Sequence, residues 1–485
     1  MNLRTSAVRG VAWSAAGNLG NQVGQLVVFV VLSRLLVPDD FGLVALASVF
    51  TVLLRLIAEQ GLADAIVQHP ELEEEHLDTG FWISAMVASG FGLALAVSAP
   101  LIGSLLDEPD ITPVLLALSA ILPLSSLKGV QRAILMRELQ FRALTTRDLV
   151  AVSTGGVAGV VAAVAGAGVW SLVIQLLTAE ALGVLLMWQA VEWRPSRRFS
   201  RAHFRELASF GASVVGYRLL RFLNTRIDNL LVGVVLGITA LGFYVVAYRL
   251  LEIMINLTTS IVSSVAFPLF SRIQGERDRI RDAYHTVIGL NGAVAFPAYV
   301  GLIAVAPEVT ELIFGGQWAA SVPTMRVLAM VGVLRAVLDV NGVVMKALGV
   351  PGRRLMIMGL TSAMLVVAFS AVVDRGILAV AIAFVGVSYV AAPLWIREVH
   401  RLIGLDAGRY IRRIAPALMS SVVMLAAVLA VKVPIADLPL AARTSLLVAT
   451  GLVAYLSVLW VTGRGIVREG LAMTQLAVPG RRVGA

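Results

Sequence analysis

Apolar residues run along this chain in long, nearly unbroken stretches, and polar residues collect in short clusters between them. Val157 to Ala167, Leu172 to Val191, Met356 to Val373 and Val422 to Val431 are typical. Many such runs approach the roughly 20 residues that cross about 30 Å of hydrocarbon. A segment inside lipid must satisfy its own backbone polar groups, so it is a helix or part of a closed barrel. A barrel would show short segments alternating with period two, and these runs are too long and too uniformly apolar for that. The pattern predicts an all-α polytopic membrane protein of about fourteen transmembrane helices. They are expected near 9–33, 40–66, 80–103, 113–136, 148–167, 169–191, 208–236, 240–268, 283–306, 322–346, 355–374, 377–397, 413–432 and 441–463.

Composition agrees: 58% of 485 residues are apolar, 14% are charged and mean hydropathy is +0.88, more than the core of a soluble domain requires. Arg4 and Arg9 precede a first apolar segment interrupted by Asn18, Asn21, Gln22 and Gln25, with no small-residue cleavage site. That segment reads as the first span. The absence of cysteine excludes disulfides, thiolate metal sites and cysteine nucleophiles. A net charge of +9 raises the question of nucleic acid, and its distribution answers it. Alternate short loops and termini carry 26 Lys and Arg on one side of the predicted spans against four on the other, Arg34, Arg375, Lys432 and Arg443. The charge is thus a topogenic signal that places both termini in the cytoplasm, with no nucleic-acid partner expected. The acidic loop Glu71 to Asp78 falls on the basic side, and acids weigh little in that rule.

The chain also repeats. A shift of 200 residues superposes Leu36 to Ala47 on Leu236 to Ala247, with Gly42 on Gly242, each at the turn between a first and second span. Shifts near 208 to 210 bring Pro113 onto Pro323 and Gly168 to Val173 onto Gly376 to Ala381. Six spans return the chain to its starting side, so the halves form a parallel pseudo-repeat with a cavity expected between them. The predicted organisation is an N-lobe at 1–205, a C-lobe at 206–405, and two further helices with a cytoplasmic tail at 406–485.

Ionisable groups within spans cost at least a few kcal/mol and mark functional surfaces. Ser14, Asn18, Gln22 and Gln25 share one face of the first span, and Ser48, Thr51, Arg55 and Glu59 one face of the second. Arg218, Arg221, Thr225 and Asp228 align on the seventh; Arg249, Glu252, Asn256 and Ser263 align on the eighth. These are the leading helix pairs of both repeats, so their polar faces are expected to converge. Arg55 with Glu59, Arg249 with Glu252, and Arg335 with Asp339 stand one turn apart and can pair locally. Cations outnumber acids six to four over this set, counting Arg226, which suits a phosphate or diphosphate. The candidate substrate-binding residues are Arg55, Arg218, Arg221, Arg249, Gln22, Gln25 and Asn256. Glu59, Glu252, Asp339 and Glu180 are the ion-coupling candidates, Glu180 having no charged partner on its own helix. Lys128, Gln131 and Arg132 read as interface anchors. The five histidines lie in or beside loops without metal-ligand spacing, so no metal is expected and the rings are read as solvated. Trp82, Trp170, Trp188, Trp193, Trp318, Trp395 and Trp460 flank spans as an interfacial belt. No phosphate-binding loop, nucleophile elbow or paired catalytic carboxylates stand out, so no enzyme activity is expected. The outer segment Pro307 to Val322 carries Glu308 and Glu311 with no basic partner in it.

The segments Arg9 to Ser14, Leu32 to Gly42, Gly61 to Gln68, Gly168 to Val173, Phe267 to Gln274 and Ile313 to Trp318 resemble the polysaccharide transporter family. This is the Wzx-type, colanic-acid-exporter-like branch of the multidrug/oligosaccharidyl-lipid/polysaccharide (MOP) exporter superfamily. The resemblance covers about residues 1 to 360 by motif and the rest by topology. It implies a MATE/MOP-like fold and a multi-pass protein of the inner or plasma membrane. The implied activity is export, by alternating access, of a polyprenyl-diphosphate-linked oligosaccharide, a lipopolysaccharide, O-antigen or exopolysaccharide repeat unit. It also implies no bound cofactor, coupling to an H+ or Na+ gradient, a monomer among membrane lipids, and cooperation with polysaccharide polymerase and export machinery. In related flippases arginines of the leading helices engage the diphosphate, and Arg55, Arg221 and Arg249 stand on such helices. Arg34, Gly42 and Gly242 take a gate or turn role. A cation-coupled multidrug exporter, a membrane glycan polymerase or ligase, and a non-transporting scaffold are the alternatives.

Overall fold

The computed structural model describes the backbone of residues 3–59, 65–67, 69 and 72–469, and their side chains except 3–16, 18, 19, 202, 204–215, 217, 257, 260–265, 268 and 351. Residues 61–64 and 68 of the Gly61 to Gln68 motif lie outside the described residues. So do the tail beyond 469 and the side chains of Ser14, Asn18 and Ser263.

Fourteen helical rods follow one another among the described residues, and no strand occurs there. They are α1 Leu3–Leu35, α2 Pro38–Ala58, α3 Glu74–Leu105, α4 Ile111–Arg137, α5 Phe141–Val164, α6 Trp170–Ala190 and α7 Arg201–Leu236. Then come α8 Ile238–Arg272, α9 Arg277–Ile313, α10 Val322–Ala347, α11 Pro351–Val372, α12 Ile377–Ile403, α13 Ala407–Lys432 and α14 Leu440–Thr462. Among the described residues twelve helices meet the length and apolarity that crossing a membrane demands; with α1 and α7, the two polar-striped rods, the rods number the approximate fourteen.

Local chemistry sets the helix starts. Pro38 opens α2, where its missing N–H costs nothing, and the Val37 N–H donates to Asp40 Oδ2 at 3.1 Å. Ser200 caps α7 by accepting the His203 N–H, and Asp406 caps α13 by accepting from Gly408 and Arg409. Gly168 and Gly376, equivalent in the repeat, both take positive φ just before α6 and α12.

The chain divides into two compact units, Met1–Val245 and Val246–Ala485, with the boundary inside α8. In the first, α5 packs along α6 and against α1, while α2 packs on α4 and α7. Small residues allow this: a methyl at Gly155 would stand 2.6 Å from the Gln175 carbonyl oxygen. In the second, α9 is central, contacting α10, α13 and α14. Its core is aromatic, with Tyr284, Phe296, Tyr299 and Trp318 at or below 2% exposure. Trp318 thus departs from the expected interfacial belt. The 3-10 turn Gly316–Ser321 folds it inward, where it is fully buried.

The repeated turns meet within the first unit. Gly42 and Gly242 sit back to back: a methyl at Gly42 would stand 1.8 Å from the Ile238 carbonyl oxygen, and one at Gly242 would stand 2.0 Å from that of Pro38. Beside them the Thr239 hydroxyl donates to Asp39 Oδ1, joining positions 200 residues apart.

Candidate functional site

The second, fourth, sixth and seventh helices place a ladder of alternating charges inside the first unit. Arg218 Nη1 on α7 lies 3.2 Å from Glu59 Oε2, and Glu59 Oε1 lies 2.9 Å from Arg55 Nε one turn back on α2. Arg55 Nη1 then stands 3.9 Å from Glu180 Oε2 on α6, whose other oxygen lies 2.8 Å from Lys128 Nζ on α4. Among the described residues of the ladder three cations flank two carboxylates, a surplus of positive charge. Glu180 and Lys128 are its most enclosed members, with side chains 13% and 17% exposed. Lys128 is therefore an ion-pair partner inside the unit, and the interface-anchor reading is corrected. Both partners face inward from helices 52 positions apart, a relation that periodicity within one helix does not register.

One turn beyond Arg218, Arg221 is exposed and forms no ion pair among the described residues. Asp228 leaves the stripe that its spacing assigned it. It is 5% exposed, accepting from the Tyr244 hydroxyl at 2.9 Å and from the Asn229 N–H at 2.8 Å. On α1, Gln25 Nε2 reaches Asn21 Oδ1 at 3.5 Å, and the buried Gln22 Oε1 has no hydrogen-bond partner. Arg34 is exposed at the end of α1.

In the second unit Arg249 Nη1 lies 3.3 Å from Glu252 Oε2, and Asn256 is exposed one turn on. Asp339 on α10 accepts a hydrogen bond from the Thr259 hydroxyl on α8. No ion pair joins Asp339 to Arg335 among the described residues, which corrects the pairing their spacing suggests. The neighbouring helix offers a hydroxyl donor at the carboxylate.

Two further clusters lay beyond sequence reasoning. Glu308, 2% exposed near the end of α9, meets Lys432 Nζ at 2.9 Å and Arg443 Nη2 at 3.7 Å. It does have basic partners, supplied by the ends of α13 and α14 rather than by its own segment. His76, read from sequence as solvated, is 4% exposed. Its ring stacks on His203 at 3.7 Å and stands 4.6 Å from His69, because α3 and α7 begin side by side. His285 is likewise 4% exposed.

The arrangement gathers charge, and among the described residues it pairs no nucleophile with a base. Comparison with known proteins is consistent with that chemistry. A family model described as "Polysaccharide biosynthesis protein" matches residues 31–323. The lipopolysaccharide biosynthesis protein WzxC of Escherichia coli is 28% identical over 70% of this chain and 69% of its own. The succinoglycan biosynthesis transport protein ExoT of Rhizobium meliloti is 29% identical over 68% and 67%. Among solved structures, the lipid II flippase MurJ in an inward closed conformation superposes with a TM-score of 0.76 at 13% identity, covering 94% of this chain and 99% of that one. An inward-facing MATE family transporter of the MOP superfamily gives 0.64 at 16%, covering 80% and 96%. These last two establish a shared fold. With the family model spanning more than half of its length, the chain belongs to the polysaccharide biosynthesis protein family.

Proposed function

We propose that this protein is a flippase that carries a polyprenyl-diphosphate-linked oligosaccharide across the cytoplasmic membrane by alternating access, with both termini cytoplasmic. The observation that carries this reading is the surplus of guanidinium and ammonium groups on the inner helices. The Arg218–Glu59–Arg55–Glu180–Lys128 ladder holds more positive than negative charge, and Arg221 stands beside it without an acid among the described residues. A diphosphate is the ligand such a surplus suits, because guanidinium forks donate paired, charge-assisted hydrogen bonds to its oxygens. The glycan follows the headgroup across while the prenyl chain stays in lipid. Similarity to the lipopolysaccharide biosynthesis protein WzxC and the succinoglycan biosynthesis transport protein ExoT supports the same reading.

The test is export in cells lacking the gene, read as lipid-linked oligosaccharide left on the cytoplasmic leaflet. Wild-type chain is expected to clear it. Losing one charged hydrogen-bonding group costs about 1.5–3 kcal/mol, so Arg221→Ala lowers export about tenfold or more, and Arg221→Lys recovers part of that. Full export by Arg55→Ala, Arg221→Ala and Arg249→Ala alike would refute the assignment.

Gradient coupling falls to Asp339 in this reading. Glu59, Glu180 and Glu252 each neutralise an arginine or lysine, whereas Asp339 holds a neutral hydroxyl. Its protonation, or its hold on a sodium ion, can therefore change without breaking an ion pair. Asp228 is sealed at 5% exposure and lacks the access that ion exchange needs. Asp339→Asn is expected to leave substrate binding intact while export in vesicles stops responding to an imposed H+ or Na+ gradient. Unchanged gradient dependence would move the coupling elsewhere.

A further inference from the structure

The first turns of α3 and α7 bring a carboxylate and two imidazoles together on the side of the protein where the basic loops lie. Donor atoms of Glu73, His76 and His203 all stand within 4.8 Å of one another. His76 is 4% exposed, and His203 Nδ1 is buried without a hydrogen-bond partner. A nitrogen lone pair stranded in that way costs free energy that a bound cation would recover. The surroundings are built rather than incidental. Arg137 donates to the carbonyls of Ile66 and His69, fixing the segment that sets the His69 ring against His76. On the other side Asp78 accepts from the Ser196 N–H at 2.9 Å and Thr79 accepts from the Ser200 N–H at 3.1 Å, which ties the segment leading into α7 to α3.

We propose that Glu73, His76 and His203 form a site for a divalent transition-metal ion that clamps the start of α7 to the start of α3. Two imidazoles and one carboxylate make a zinc-type donor set that leaves a fourth position for water. Tetrahedral bonds of about 2.0–2.2 Å need the donors closer than 4.8 Å, a contraction that side-chain rotation supplies. The ion competes with the hydrogen bonds that already start the helix. His76 Nδ1 accepts the Glu73 N–H at 3.2 Å, the long end of such bonds. Binding through Nδ1 takes that lone pair. Binding through Nε2 requires the ring proton to move to Nδ1, which ends the same bond. The site therefore selects ions with strong imidazole affinity, zinc, nickel or copper, over magnesium and calcium. Occupancy adds a cross-link at the root of the helix that carries Arg218 and Arg221, and the inference stands independently of what the protein transports.

The full chain, purified in detergent with a histidine-free tag, is titrated with zinc chloride by calorimetry and by thermal unfolding. The expected result is saturable binding of one ion per chain with a rise in Tm, and no response to magnesium. His203→Gln lies outside the hydrogen bond at the start of α3 and keeps it intact. It is expected to weaken zinc binding at least about tenfold and to abolish the Tm rise, as is His76→Ala. His285→Ala and His400→Ala are expected to bind as wild type does. Equal zinc binding and equal Tm rise in wild type, His203→Gln and His76→Ala would overturn the proposal, as would the absence of saturable binding in wild type.

Discussion

Gly42→Ala is expected to break the contact between the two repeated turns. The added methyl would stand 1.8 Å from the Ile238 carbonyl oxygen and 3.1 Å from the Gly242 nitrogen, both backbone atoms that no rotamer change can move. The turns must separate, and overpacking of this kind costs about 1–3 kcal/mol. Here the upper end applies, because the obstacle is main chain. The loss falls on the conformation in which the turns touch, so the substitution shifts the population away from it. A chain without cysteine makes the measurement direct. Asp39→Cys with Thr239→Cys, placed where the native side chains already hydrogen-bond, is expected to cross-link readily, and adding Gly42→Ala to lower the yield severalfold. Undiminished cross-linking together with an unchanged Tm would show that the close packing does not exist. If the turns form an extracytoplasmic gate, as the transport reading requires, the cross-linked protein stops exporting and a reductant restores it.

Lys432→Met carries the second large effect. Glu308 is 2% exposed, and its nearer oxygen lies 2.9 Å from Lys432, which also donates to the Ala304 carbonyl at 3.2 Å. Removing one member of a buried pair costs about 3–5 kcal/mol when the remaining charge is left alone. Arg443 remains at 3.7 Å, and Lys432 itself is 24% exposed, so the expected cost is nearer the lower bound. The measurable outcome is a Tm several degrees lower in detergent. Glu308→Gln with Lys432→Met is expected to be less destabilised than Lys432→Met alone, since no carboxylate is then stranded. A double variant that loses the sum of both single effects would mean that the two groups do not interact.

The helices were legible because lipid imposes one rule on every span. Long apolar runs mark the rods, and Pro38, Ser200, Asp406 and the positive-φ glycines mark their ends. The repeat was legible as well, since Gly42 and Gly242 are required by a contact that tolerates no side chain. Pairs within one turn, such as Arg55 with Glu59 and Arg249 with Glu252, followed from helical spacing. What spacing could not provide were partners on other helices. Lys128 meets Glu180, Lys432 meets Glu308, and His203 meets His76 only after non-adjacent rods pack. Asp228 shows the same limit in reverse. Its spacing put it on a polar stripe, yet the tight hairpin at Gly237 brings Tyr244 over it and removes it from water.

The meeting of Pro38 to Gly42 with Ile238 to Gly242 carries a consequence for the repeat. Two copies of one segment that face each other reciprocally form the kind of self-complementary contact found in symmetric dimers. In two identical copies the glycine of each would meet position 38 of the other, as Gly42 meets Ile238 and Gly242 meets Pro38, while position 39 would face its own counterpart. Asp39 would then have opposed a second aspartate, with two like charges in hydrogen-bonding range. With threonine at 239 the same position supplies a donor to Asp39, so the asymmetry of the two copies is what lets this contact close.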